Sequence, residues 1–160
     1  GRILGGWRLS GIISMETGRY ANVSASTLAG NRRPDRVGNF EYLDPRVQRT
    51  LTGGDGQPVT GQFWFNPTPG KTVVVPPQDR YGNAAPYLMR GPGFLNADAA
   101  LMKNTRIQER ITLQLRLEAF NALNHTNFVG VGAVLGQRNL GVITSADFAR
   151  EIQLGAKLIF

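Results

Sequence analysis

Residues 111–119 alternate without a break: Ile111, Leu113, Leu115, Leu117 and Ala119 fall on one side, Thr112, Gln114, Arg116 and Glu118 on the other. A period of two is the signature of a strand with one apolar face, whereas a helix would spread Arg116 and Glu118 among the leucines. The pattern predicts a strand over residues 110–120. The same rule predicts one over 94–103, where Leu95, Ala97, Ala99 and Leu101 oppose Asn96, Asp98, Ala100 and Met102. It predicts another over 6–15, where Trp7, Leu9, Gly11, Ile13 and Met15 oppose Arg8, Ser10, Ile12 and Ser14. Ile152, Leu154, Ala156, Leu158 and Phe160 share one face of a strand over 150–160. Glu16-Thr17-Gly18 reads as a turn, with Gly18 able to take a positive φ. The expected partner is a strand over 19–26, although Tyr20, Asn22 and Val23 alternate poorly. Lys103 to Arg110 is expected to link the third and fourth strands as a hairpin.

The five strands are joined by connections of alternating length. Residues 16–18 and 103–110 are short links, while 27–93 and 121–149 are long and rich in Gly, Pro, Asn and Asp. Compact soluble domains seldom carry structureless links of that size. Outer-membrane barrels combine short periplasmic turns with long extracellular loops. The expected fold class is therefore all-β: an antiparallel up-and-down transmembrane β-barrel segment of about five strands with two long extracellular loops. Five strands do not close a barrel, since the smallest outer-membrane barrels need about eight, so a larger barrel is implied. Trp7, Leu9, Ile13, Leu95, Leu101, Leu113, Leu115, Leu117, Leu154 and Leu158 are expected to face lipid. Arg8, Asp98, Gln114, Arg116, Glu118, Gln153 and Lys157 are expected on the opposite face. The alternative is a secreted or surface-exposed all-β binding domain, a sandwich with the same apolar positions inside.

Composition narrows the partners. Eighteen Lys and Arg against eleven Asp and Glu give a net charge of +7, which admits an anionic partner. Only Arg32, Arg33 and Arg36 cluster, and no basic aromatic helix accompanies them, so no nucleic-acid partner is expected. The absence of cysteine excludes a disulfide scaffold and thiolate chemistry. No run approaches the roughly 18 apolar residues of a membrane helix, a test that barrel strands escape. The chain opens at Gly1-Arg2-Ile3-Leu4 without a basic, apolar leader, which suggests a piece of a longer chain.

Candidate chemistry is sparse. His125 is the only histidine, and with Asn121, Asn124 and Asn127 around it a structural turn is the better reading than a metal site. Phe120 and Phe128 bracket that turn, either as part of an interfacial aromatic girdle or as core. Gly53-Gly54-Asp55-Gly56 and Gly91-Pro92-Gly93 lack the strand, helix and Lys-Ser/Thr context of a phosphate loop and read as turns. No nucleophile elbow accompanies the serines, so no enzyme, cofactor or metal is expected. Trp64, Phe65, Tyr81 and Tyr87 in the first long loop either stack on a solute or pack the loop against itself. Arg32, Arg33 and Arg36 are expected on the extracellular side, facing lipopolysaccharide or an acidic solute.

Several phrases occur together in a recognisable order: Gly6-Trp7-Arg8-Leu9-Ser10-Gly11-Ile12, Asn31-Arg32-Arg33-Pro34-Asp35, Trp64-Phe65-Asn66-Pro67, Gly82-Asn83, Arg90-Gly91-Pro92-Gly93-Phe94, Glu118-Ala119-Phe120-Asn121-Ala122-Leu123-Asn124-His125-Thr126-Asn127-Phe128, and Leu158-Ile159-Phe160. The set resembles the C-terminal barrel portion of TonB-dependent outer-membrane receptors, in particular the Oar-like branch with a carboxypeptidase-regulatory-like N-terminal domain. That resemblance implies the last strands of a 22-stranded barrel, with the plug and N-terminal domains lying outside this chain. It implies active uptake of a scarce bulky solute of the iron chelate, cobalamin or glycan class. The partners it implies are outer-membrane lipid and lipopolysaccharide, the barrel-assembly machinery, an unknown small solute, and the TonB complex only through the missing N-terminal part. The implied location is the outer membrane of a Gram-negative-type bacterium. Ile152, Leu154, Leu158 and Phe160 resemble the closing-strand signal read by the assembly machinery.

Overall fold

A computed structural model describes residues 4–27 and 30–160, with the side chains of 26, 27 and 30–32 left undescribed. The chain divides into two compact units, one from residues 1–16, 94–127 and 147–160, the other from 17–93 and 128–146.

The first unit is a single antiparallel sheet. Its strands are β1 (Trp7–Glu16), β2 (Phe94–Gln108), β3 (Ile111–Phe120) and β4 (Glu151–Ile159), adjacent in that order. The register aligns like with like: Leu9, Leu101, Leu117 and Leu154 form one row, and Gly11, Ala99, Ala119 and Ile152 form the next on the same face. Cross-strand partners share a face. Every residue expected on the apolar side therefore lies on one face, and every residue expected on the polar side lies on the other. At 9 to 15 residues, the strands meet the roughly 9 to 11 needed to cross a bilayer.

The expected strand over 19–26 is not part of this sheet. β1 pairs along its whole length with β2, from Trp7↔Lys103 to Glu16↔Phe94. The 19–26 segment splits instead: Tyr20–Ala21 pairs with Met89–Arg90, while Ser24–Thr27 lies between Gly30–Arg32 and a parallel Val134–Leu135. Its broken alternation offers no continuous apolar row, whereas Leu95–Leu101 matches that of β1 residue for residue. Residues 16–18 thus begin the first long excursion rather than a hairpin. β2 also runs on to Gln108, shortening the expected 103–110 link to a tight turn at Glu109–Arg110, with a bulge between Arg106 and Gln108 that twists the strand end.

The second unit has its own core, built from Val23, Ala25, Phe65, Val73, Met89, Leu135 and Leu140. Burying a side chain of the size of Phe65 or Leu140 contributes roughly 1.5–3 kcal/mol. Residues 27–93 and 121–149 are therefore not the structureless links their composition suggests. Both excursions contribute: Phe63, fully buried, bridges to Val142, and the Trp64 N–H donates to the Gly141 carbonyl at 2.8 Å. A hairpin of Gln48–Thr52 and Pro58–Gln62 closes through Gly53-Gly54-Asp55-Gly56, with Gly56 at φ +80 and Gln57 N–H donating to Asp55 Oδ1 at 3.0 Å.

Candidate functional site

In the sheet unit the arrangement that matters is the contrast between its faces. Leu9 and Leu154 are 76% and 80% exposed, and Ile13, Ile152 and Leu158 are exposed as well. Among the described residues no second sheet covers this face within the unit, so the sandwich alternative, which needs those side chains inside, is not what the chain builds. The opposite face carries Arg8, Asp98, Asn104, Gln114, Arg116, Glu118 and Lys157, with Arg116 and Glu118 in an ion pair at 2.7 Å. Phe120 belongs to this polar face, opposite Glu151. It therefore cannot join a lipid-side girdle, and Phe128 lies half-buried in the other unit. Ile152, Leu154 and Leu158 line the apolar side of edge strand β4; Phe160, just past its end, is also exposed.

One cation interrupts the apolar face, at the boundary between the expected strand over 94–103 and the expected link over 103–110. Lys103 sits between Trp7 and Leu115, buried, with Nζ 4.7 Å from the Trp7 ring centroid and donating to the Gly5 carbonyl at 2.6 Å. The aliphatic stem covers apolar surface while the ammonium is satisfied by the ring and the carbonyl.

The His125 region is a clasp between strand ends. Asn121 and Asn124 adopt φ +48 and +51, the left-handed region that asparagine tolerates best among side-chain-bearing residues. The Asn121 backbone N–H donates to Asp98 Oδ1 at 2.9 Å, and its side-chain Oδ1 accepts the His125 N–H at 3.0 Å. Asn127 extends the ladder with its amide group: Oδ1 accepts the Leu95 N–H and Nδ2 donates to the Leu95 carbonyl, both at 2.9 Å. His125 Nδ1 lies 3.1 Å from Asn127 Oδ1. The ring thus sits inside a hydrogen-bonded turn. The clasp keeps the start of the second excursion at the end of the sheet where the first excursion leaves, marked by the Glu16↔Phe94 pair.

The aromatic candidates in the second unit divide. Phe65 is 1% exposed and meets Phe40 edge-on at 4.9 Å, so its ring belongs to the core. Trp64 donates from Nε1 to the Arg90 carbonyl at 2.6 Å and packs on Tyr42 at 5.5 Å. Tyr81 and Tyr87 are 78% and 64% exposed. Arg33 and Arg36 are exposed, with Arg36 held by the Gly38 carbonyl and Asn39 Oδ1; the Arg32 side chain lies outside the described residues.

Basic side chains outnumber acidic ones two to one across residues 17–93 and 128–146, and three of the acids are already paired. Asp35 takes a forked pair from Arg80 at 2.8 and 2.6 Å, Glu41 meets Lys71 at 3.5 Å, and Asp55 meets Arg138 at 3.0 Å. The Arg80 fork and then the Asn83 N–H hold the Asp35 carboxyl below its ordinary range against the opposing effect of burial. The Asn66 amide and then Lys71 do the same for Glu41. For Asp55 the leading cause is the Gln57 N–H, with Arg138 adding to it. None of these pairs was visible in the sequence, because their members are far apart along the chain.

The chain matches the family model described as Outer membrane beta barrel domain over residues 1–153. Neither a curated protein nor a solved structure matches it.

Proposed function

We propose a transport role from an established premise: the chain belongs to the outer membrane beta barrel family, and its place is the outer membrane. In that setting the apolar face of the sheet meets lipid and the polar face lines the barrel interior. Backbone groups cannot be left unpaired in hydrocarbon. Among the described residues no strand covers the outer edges of β1 and β4, so further strands complete the barrel. We read the chain as the closing part of a TonB-dependent receptor barrel of the Oar-like branch, about 22 strands in all, with the plug and N-terminal domains supplied by other parts of the receptor. The ordered phrases from Gly6-Trp7-Arg8 to Leu158-Ile159-Phe160 support that finer assignment.

The observation that carries the reading is the one-ended placement of the excursions. Both leave and re-enter the sheet at the Glu16/Phe94 end, and the opposite end has only the tight turn at Glu109–Arg110. In outer-membrane barrels the short turns are periplasmic and the long loops face outward. The excursion unit, with its excess of arginine, is then the surface that meets lipopolysaccharide and the incoming solute. Uptake rather than catalysis is the role, and no cofactor takes part. The test is genetic: deleting the gene and deleting TonB should abolish uptake of the same solute, with no further loss in the double deletion. Uptake that survives loss of TonB or collapse of the inner-membrane proton gradient would contradict the receptor reading while leaving the barrel untouched.

A further inference from the structure

Residues 80–87 form a strap laid along residues 33–36. Arg80 forks onto Asp35, the Asn83 N–H donates to Asp35 Oδ1 at 2.8 Å, Asn83 Oδ1 accepts the Arg36 N–H at 2.8 Å, and the Ala84 N–H donates to the Pro34 carbonyl at 3.0 Å. At the far end the Tyr87 N–H donates to Asn22 Oδ1 at 2.6 Å. Burial alternates from Tyr81 to Ala85: Gly82 and Ala84 are buried, while Tyr81, Asn83 and Ala85 are exposed; Pro86 and Tyr87 are both exposed. The inward positions are small because the neighbouring backbone lies against them; a Cβ on Gly82 would overlap the Arg33 and Pro34 carbonyls.

An extended segment directs alternate side chains to the same side. Tyr81, Asn83 and Ala85 follow that alternation on the exposed side; the chain then bends at Pro86–Tyr87, and Tyr87 is exposed beyond the bend. Tyr87 stands at φ +57, a left-handed conformation that bulky residues adopt only where their surroundings enforce it. Here Asn22 fastens it. Beside the strap stand Arg33 and Arg36, the latter with its guanidinium plane fixed by the Gly38 carbonyl and Asn39. Of the nearby acids, Asp35 is spent on Arg80, leaving Asp79 as the exposed one.

We propose that the outward face of this strap, with Arg33 and Arg36 beside it, is a binding track for an extended acidic oligosaccharide of the uronic-acid type. Pyranose rings offer flat C–H faces on which tyrosine stacks, and their carboxylates fit the planar two-pronged guanidinium. A neutral glycan would leave the arginines unused. The assignment rests on the receptor reading for its outward location, and its chemistry is tested separately.

The experiment is calorimetric titration of the full-length receptor in detergent with an oligogalacturonate, and with a maltooligosaccharide of the same length as the neutral control. Binding should be confined to the acidic oligomer and should weaken as salt rises. Tyr81→Ala should cost about fivefold in affinity, and Tyr81→Phe should restore it. Arg33→Gln with Arg36→Gln should cost about tenfold or more. Each variant is checked for its heat-modifiable band, so that a lost barrel is not mistaken for a lost site. Equal affinity in all variants, preference for the neutral oligomer, absence of binding, or capture of an anionic iron chelate in place of the oligogalacturonate would overturn the track. With TonB-dependent uptake intact, any of these results would leave the receptor reading standing.

Discussion

The two units use their apolar residues in opposite ways. In the sheet unit leucines recur at every second position and share one face, with Leu9 and Leu154 largely bare. In the excursion unit the apolar residues are scattered through Gly- and Pro-rich sequence and yet converge on a closed core around Phe65, Met89 and Leu140. A sheet whose outer face is solvated by lipid does not need to cover it with protein, so its sequence is locally regular. A loop assembly facing water must build a core from distant pieces, so its sequence is locally irregular.

The contrast can be broken first in the core of the excursion unit. Phe65→Ala should destabilise that unit by about 3–5 kcal/mol, seen as faster hydrogen exchange in residues 17–93 with the heat-modifiable barrel band retained. Loss of the band with Phe65→Ala would mean that the two units fold as one. On the sheet, Leu117→Arg places a charge in the middle of the lipid-facing row and should cost about 2–4 kcal/mol, lowering the folded fraction in outer-membrane preparations, whereas Arg116→Leu one position away should be tolerated. Equal damage from both would show that the faces are not distinct. Asn127→Ala removes both hydrogen-bond partners of Leu95 and should cost about 1–3 kcal/mol, read as local exchange at Leu95 and at residues 121–127.

A smaller effect should appear in acid. Asp35, Glu41 and Asp55 have folded-state pKa values below their ordinary values of 3.8, 4.5 and 3.8. Stability from a depressed carboxyl is fully present above the unfolded pKa and is lost as pH falls through the folded one. Hydrogen exchange in the excursion unit should therefore accelerate below about pH 4, and Asp35→Asn should flatten that dependence. Acceleration on the alkaline side instead would contradict the assignment.

The same contrast explains what could be read in advance. Four strands and both faces of the sheet were legible because Ile111 to Ala119 and its partners declare their pairing through local alternation. The segment over 19–26 was misplaced because two of its three partners, Met89–Arg90 and Val134–Leu135, are distant in sequence and its own pattern is weak. Lys103 falls where the expected strand over 94–103 meets the expected link over 103–110, and its neighbours Trp7 and Gly5 are supplied by another strand end. Among the site residues, Phe65 and Trp64 could not be separated from Tyr81 and Tyr87 by composition. The Asp35–Arg80 fork that fastens the strap joins residues far apart in the chain.

The central claim is that the sheet spans the outer membrane with its excursions outside and its tight turn in the periplasm. The chain contains no cysteine, so single cysteines introduced into a cysteine-free receptor report position directly. Treating intact cells with a membrane-impermeant maleimide should label Tyr81→Cys at once and Arg110→Cys only after the outer membrane is permeabilised. Immediate labelling of Arg110→Cys with protection of Tyr81→Cys would contradict the account, as would equal labelling of both in intact cells.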